Sequence, residues 1–333
     1  MIELHGDTLI FSFPEISSDA RCYISFRKTL RVPDDGVDYP LPAGFEKFPL
    51  RHMDDYSRRM PDSVRMAGGV MLPLHRAEAM YIDFDGHEVE DRGVWPCLVK
   101  VGVGKVNAIT GEAWDSPVSF DPQDHVVVPE QSWLDGFAVS PGRVRQFVAV
   151  PAGEGYSPEE QLWGQMKVGG IQIQVSPMKR IAFERHFPLQ EMIRFSYVAD
   201  PMFSVKGRAI GLGGRIRQKV HKNPYKSIDW ETSRSSRCFV HLVAASDWAR
   251  ITGERTPTLP PTAAQYSKNG LPWFSEYSEP SSGIAGSKLL AGLKSVFGLD
   301  QGKSSPVLPE NESAKPRIVR EAGKQRSVRE GEF

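Results

Sequence analysis

The chain has 333 residues, with 41 Lys and Arg balanced by 41 Asp and Glu and with 40% hydrophobic residues, the composition of a globular protein with ample material for a core. Zero net charge excludes a molecule whose whole surface is an electrostatic glove for nucleic acid or an anionic membrane, while leaving room for a local basic patch. Cys22, Cys97 and Cys238 are odd in number and widely spaced, which excludes a complete disulfide framework and predicts a reducing, cytoplasmic setting.

The amino terminus carries Glu3 and Asp7 and lacks a basic start and an unbroken apolar run, so it does not read as a secretory signal. No apolar run approaches the ~20 residues that cross a bilayer as a helix. From the start to about Pro201, short apolar runs alternate with Pro, Gly, Asp and Asn, the pattern of many short strands joined by turns. Strands are predicted over 9–13, 22–26, 79–84, 98–103, 125–128, 144–150 and 171–175, which are rich in β-branched and aromatic residues. Alternation of Ile171, Gln172, Ile173, Gln174 and Val175 predicts a sheet with one wet face.

Ser157, Pro158 and Glu160 form a helix start, because serine caps an orphan N–H, proline already has helical φ and Glu160 bonds back to the cap. That helix is expected to run to about Lys167, before Gly169 and Gly170. Further helices are predicted over 54–59 and over 287–297, where Leu290, Leu293 and Phe297 share a helical face.

Between Asp200 and Asp229 the chain has no acid. Lys206, Arg208, Arg215, Arg217, Lys219, Lys222 and Lys226 gather there around Gly211, Leu212, Gly213 and Gly214. A Pro and Thr run over 256–262 reads as extended linker. The predicted fold is therefore α+β and mainly β: a multi-stranded antiparallel sheet or sandwich with a few short helices. A β-rich region spans 1–200, a basic, strand-bearing and helical part integrated with it spans 201–298, and a tail over 299–333 is too charged to repay its ordering and is expected to be disordered.

Asp83, Asp85 and His87 would share one face of a strand and offer three ligands to a divalent metal, with His52, Asp54 and Asp55 able to add to them. The competing expectation is a hairpin turn at Asp85–Gly86 with solvated neighbours. Asp124 and Glu130, with Asp135 nearby, supply carboxyls for an acid and base pair beside Trp133, as a glycosidase requires. Asp135–Gly136 also reads as a turn. Trp95, Trp114, Trp133 and Trp163 are either core residues or stacking platforms. The glycines at 211, 213 and 214 lack the Lys and Ser or Thr of a phosphate loop. With Arg215, Arg217 and Lys219 they are an anion-binding candidate, set against a solvated charged loop or hairpin. Cys238 and His241 fall on opposite faces of a strand and make no thiolate pair.

The strings Lys105–Gly111, Pro129–Gly136, Val144–Ala149, Gly153–Tyr156, Gly169–Lys179, Ser235–Leu242 and Gly270–Phe274 resemble a family of uncharacterised proteins of bacteria and fungi. The resemblance implies one integrated unit from about residue 1 to 298 and brings no reaction, cofactor or catalytic residue with it. The first functional expectation is a non-catalytic binding or assembly module that docks a protein partner, a second copy or an anionic ligand through a sheet face or the basic segment. A metal- or carboxylate-dependent hydrolase is the alternative. A peripheral membrane binder that joins the basic stretch to the 287–297 helix is the third.

Overall fold

The computed structural model describes residues 1–59, 67–188, 209–274, 283–303 and 311–319. Two large, mostly antiparallel sheets carry the fold. In the first, Ile2–His5, Thr8–Ser12, Arg21–Thr29, Ala79–Gly86, Arg143–Val150, Ala209–Ile216 and Asp38–Tyr39 lie side by side, and Gly44–Lys47, Trp133–Leu134 and Gly136–Ser140 branch from that path. In the second, the order is Val106–Asn107, Cys97–Val103, Ile171–Pro177, Ser236–Ala244, Val70–Leu74 and Arg51–His52, with Val126–Val128 also paired to Cys97–Val103. Strands from beyond residue 201 thus sit inside both sheets: Ala209–Ile216 between two earlier strands, and Ser236–Ala244 likewise.

Period-two alternation sets the inner faces. Along Arg21–Thr29, Cys22, Ile24 and Phe26 are fully buried, while Tyr23, Ser25 and Arg27 point the other way opposite Asp85, Asp83 and Tyr81. One continuous core holds Leu9, Ile24 and Phe84 from the first sheet with Val99, Ile173 and Val240 from the second. Each such side chain contributes about 1.5–3 kcal/mol on leaving water, so register is strongly specified along both sheets.

Several local expectations are corrected. Asp85–Gly86 is not a turn: the strand runs on through Gly86, which pairs with Cys22, and a side chain there would meet Val94 Cγ1 at 2.2 Å. The reversal comes later, where Asp91 takes φ 58 between Glu88–Val89 and Gly93–Val94. Asp135 is likewise no exposed turn, being buried between two short strands with its N–H donated to Gln218 Oε1 at 2.9 Å. The glycines at 211, 213 and 214 are neither phosphate loop nor charged loop but part of the buried strand Ala209–Ile216. Gly214 is required by close approach, since a Cβ would lie 2.3 Å from the Pro33 carbonyl.

The predicted wet face of Ile171–Pro177 is covered. Gln172 and Gln174 are buried because Trp114 lies across Gly102, where a Cβ would stand 2.5 Å from its ring, and Arg237 Nε donates to Gln174 Oε1 at 2.9 Å. The 287–297 helix divides into Lys288–Ala291 and Val296–Gly302, and along this stretch Leu290 and Val296 are buried, Leu293 and Phe297 are partly buried and Leu289 is 47% exposed. Among the described residues no helix is long and apolar enough to cross a membrane. In the predicted tail, Arg317–Val319 forms a parallel pair with Pro272–Phe274, and 304–310 and 320–333 lie outside the described residues.

Candidate functional site

A network of polar side chains converges on one segment, 221–230, which is tied by side-chain hydrogen bonds to the 123–131 segment about a hundred residues earlier. Gln123 Nε2 donates to the carbonyls of His125 at 2.8 Å and His221 at 3.0 Å, and its Oε1 accepts the Asn223 N–H at 2.8 Å. Gln131 Oε1 accepts the His221 N–H at 3.0 Å. An Asn-Pro-Tyr sequence at 223–225 then turns the chain, with Asn223 Oδ1 accepting the Tyr225 N–H at 2.9 Å.

That last bond fixes the Asn223 amide, so its Nδ2 faces His125 Nε2 at 3.0 Å and donates to it. His125 is therefore held as the Nδ1–H tautomer, and Nδ1 donates to Asp124 Oδ1 at 3.1 Å. Asp124 Oδ2 meets Lys100 Nζ at 2.9 Å, and the same ammonium donates to the Ser116 carbonyl at 2.7 Å and lies 5.3 Å from the Trp114 ring centre. Lys100, Asp124 and His125 are all buried, the imidazole completely. This chain of four side chains is closed, because both imidazole nitrogens and both carboxylate oxygens are engaged.

A second arm starts from Tyr225, whose hydroxyl donates to Glu130 Oε1 at 2.6 Å. Burial pushes the Glu130 carboxyl above its ordinary value, and burial together with Glu130 pushes the Tyr225 hydroxyl strongly upward. The Tyr225 ring meets His186 and Trp230 edge-on at 5.1 and 5.6 Å. Asp229 beneath them accepts from Arg185 and from His186 Nε2, the latter at 3.1 Å. Burial alone would raise the Asp229 carboxyl, but these partners hold it below its ordinary value.

In front of this framework opens a cleft of about 750 Å³, in the size range of small-ligand pockets. One wall is Ile109 to Glu112 and Phe120 to Gln123, the second is 222–227 including Tyr225, and the third is Ile284 to Leu289. The walls are braced. Asn107 Oδ1 accepts the N–H groups of Ile109 and Thr110 while its Nδ2 donates to the Asp124 carbonyl, and Ser287 Oγ donates to the Thr110 carbonyl at 2.6 Å. Exposed Glu112 and Asp121 belong to the first wall, and exposed Lys222 and Lys288 to the other two.

Of the acid and base candidates, Asp124 and Glu130 thus stand on two arms that meet at 223–225, whereas Asp135 lies apart, its N–H bonded to Gln218. The metal candidates are spread out. Asp83 accepts from Arg27 Nε at 2.9 Å and Ser25 Oγ at 3.1 Å, Asp85 accepts its neighbour's N–H, His87 Nδ1 bonds the Tyr23 hydroxyl, and His52 lies in the other sheet. Among the described residues no group of three or more His, Cys, Asp or Glu is placed to hold a metal ion.

Arg215 is 2.9 Å from Asp38, Arg217 donates its N–H to the Tyr39 carbonyl, and the Lys219 carbonyl accepts from Gln131, so these three follow the first sheet rather than a phosphate nest. Trp133 lies half-buried opposite Asp83, Trp95 stacks on Phe183 at 4.1 Å, and Lys167 sits 4.8 Å from the Trp163 ring centre. Asn107, Lys100, Asn223, Tyr225, His186 and Asp229 were not marked by any local pattern. Their one sequence signal is the Asn-Pro turn.

No family model matches the chain, nor does any curated protein or solved structure.

Proposed function

We propose that this chain is a non-catalytic binding module and that the cleft beside Tyr225 takes a small dipolar ligand with an apolar body, of which a peptide of two or three residues is the simplest example. The observation that carries this reading is the contrast between the closed Lys100–Asp124–His125–Asn223 chain and the unspent charges of the cleft. Lys100, Asp124, His125 and Asn223 use their polar atoms on one another, which suits rigidity and leaves no base or nucleophile to present. Lys222 and Lys288 have no acid partner among the described residues and lie on the second and third walls, and Glu112 and Asp121 lie on the first. A ligand with one anionic and one cationic end complements that division, while Phe120, Ile109 and Ile284 supply apolar contact for its body. The free, buried thiols of Cys22, Cys97 and Cys238 suit the reducing, cytoplasmic setting that belongs to the same proposal.

Calorimetric titration with short apolar peptides tests the reading. Free peptides are expected to bind, and acetylation of the amine or amidation of the carboxylate is expected to weaken binding, as is Lys222→Glu with Lys288→Glu. Equal binding of capped and free peptides, or no binding of either, contradicts it.

A further inference from the structure

The strand Pro272–Phe274 is an acceptor edge. Phe274 spends both backbone groups on Leu41, accepting and donating at 2.9 and 3.0 Å, and Pro272 has no N–H to give. Alternation along a strand then turns the N–H and C=O of Trp273 to the opposite edge, where Ile318 is its ladder partner. The edge itself is rigid: Trp273 is fully buried, its Nε1 donates to Ser267 Oγ at 2.9 Å, and its ring lies 5.8 Å from that of buried Tyr39.

What sits on this edge is held by polar contacts rather than by burial. Arg31 Nη2 donates to Asn311 Oδ1 at 3.3 Å, Ser313 Oγ donates to Asp35 Oδ2 at 2.8 Å, the Ala314 N–H donates to the Tyr39 hydroxyl at 3.3 Å and Arg317 Nη1 donates to the Gly270 carbonyl at 3.4 Å. Ile318 remains 46% exposed and Ala314 is only partly buried against the core, so these two side chains add little apolar hold. Belonging to the same chain, such a segment competes for the edge at a higher local concentration than a free peptide does.

We propose that the Trp273 edge, with Arg31, Asp35 and Tyr39 beside it, is a strand-addition site whose occupant in trans is the 311–319 segment of a second copy of this chain. Every copy carries the one sequence already matched to the site residue by residue, and exchange of an identical element between protomers costs no contacts. The inference is independent of the ligand cleft, which lies on other residues.

The test uses the full chain. Ser313→Ala with Val319→Pro removes the Asp35 contact and the amide that faces the Trp273 carbonyl in a parallel ladder. In fluorescence anisotropy this variant is expected to bind a labelled peptide of residues 308–320 about tenfold more tightly than the wild type, whose own tail competes. Arg31→Ala in the same background is expected to weaken that binding. Mixing the tail variant with a chain carrying Arg31→Ala and Asp35→Ala is expected to give a 1:1 complex in sedimentation. No peptide binding by a tail variant that melts like the wild type overturns the acceptor site. Binding indifferent to Arg31→Ala overturns its location, and a mixture that stays monomeric overturns the second copy as occupant.

Discussion

Asn223 donates its side-chain amide to Nε2 of His125 across 3.0 Å, although 98 residues separate the two in the chain. The bond closes a buried polar chain and pins the wall of the cleft. Asn223→Leu leaves the imidazole nitrogen buried without a donor and is expected to cost about 1–3 kcal/mol, read from urea unfolding. A variant as stable as the wild type would show that the bond does not hold the wall.

Lys100 and Asp124 form the ionic end of the same chain, at 2% and 5% side-chain exposure. Lys100→Met strands the carboxylate and is expected to cost about 3–5 kcal/mol. Asp124→Asn added to it keeps an acceptor for His125 and removes the stranded charge, so the double variant is expected to recover a large part of that loss. Additive losses in the same unfolding measurement would mean the two groups are not coupled.

Glu130 titrates above its ordinary value because it is buried, so its protonated form favours folding. The stability it contributes is complete below the ordinary carboxyl value and is lost as pH rises through the raised one. Glu130→Gln keeps an acceptor for Tyr225 and removes that loss. The variant is expected to gain on the wild type as urea midpoints are followed from about pH 4 to about pH 8, and parallel curves would refute it.

His241 shows the opposite case. Its Nε2 lies 2.9 Å from the Gly68 carbonyl, and burial holds its value at about 4 against the ordinary 6.5. The unfolded chain takes up its proton first as pH falls, so stability is lost between those two values, by about 3 kcal/mol at the acid end. His241→Gln is expected to flatten that limb of the stability profile, and an unchanged acid slope would assign it to other groups.

The strands were legible because alternation is local: the period-two pattern at 22–26 and 79–84 marks the inner faces that the structure has, with each strand extended by one to three residues at its ends. The helix start was legible for the same reason, and Ser157 and Glu160 form the complete capping box. Its end was not, because Gly164 takes the left-handed cap conformation at φ 76 one turn before the glycines expected to stop it. Gln172 and Gln174 misled because a polar alternation reports the chemistry of a face, whereas its cover, Trp114, comes from a different part of the chain. At the site, Asp124 and Glu130 stood out as neighbours in sequence. Lys100, Asn223 and Tyr225, which decide what those carboxyls can do, are brought to them only by the folded sheets.

Chemical-shift mapping of the ¹⁵N-labelled protein during titration with a short apolar peptide tests the central claim most directly. The account predicts that the amides of Thr110, Asn223, Tyr225 and Gly286, which surround the cleft, move together and saturate, while those of Tyr23 and Asp83 on the outer face of the first sheet stay still. Saturating shifts confined to that outer face, with the cleft amides unmoved, would contradict it.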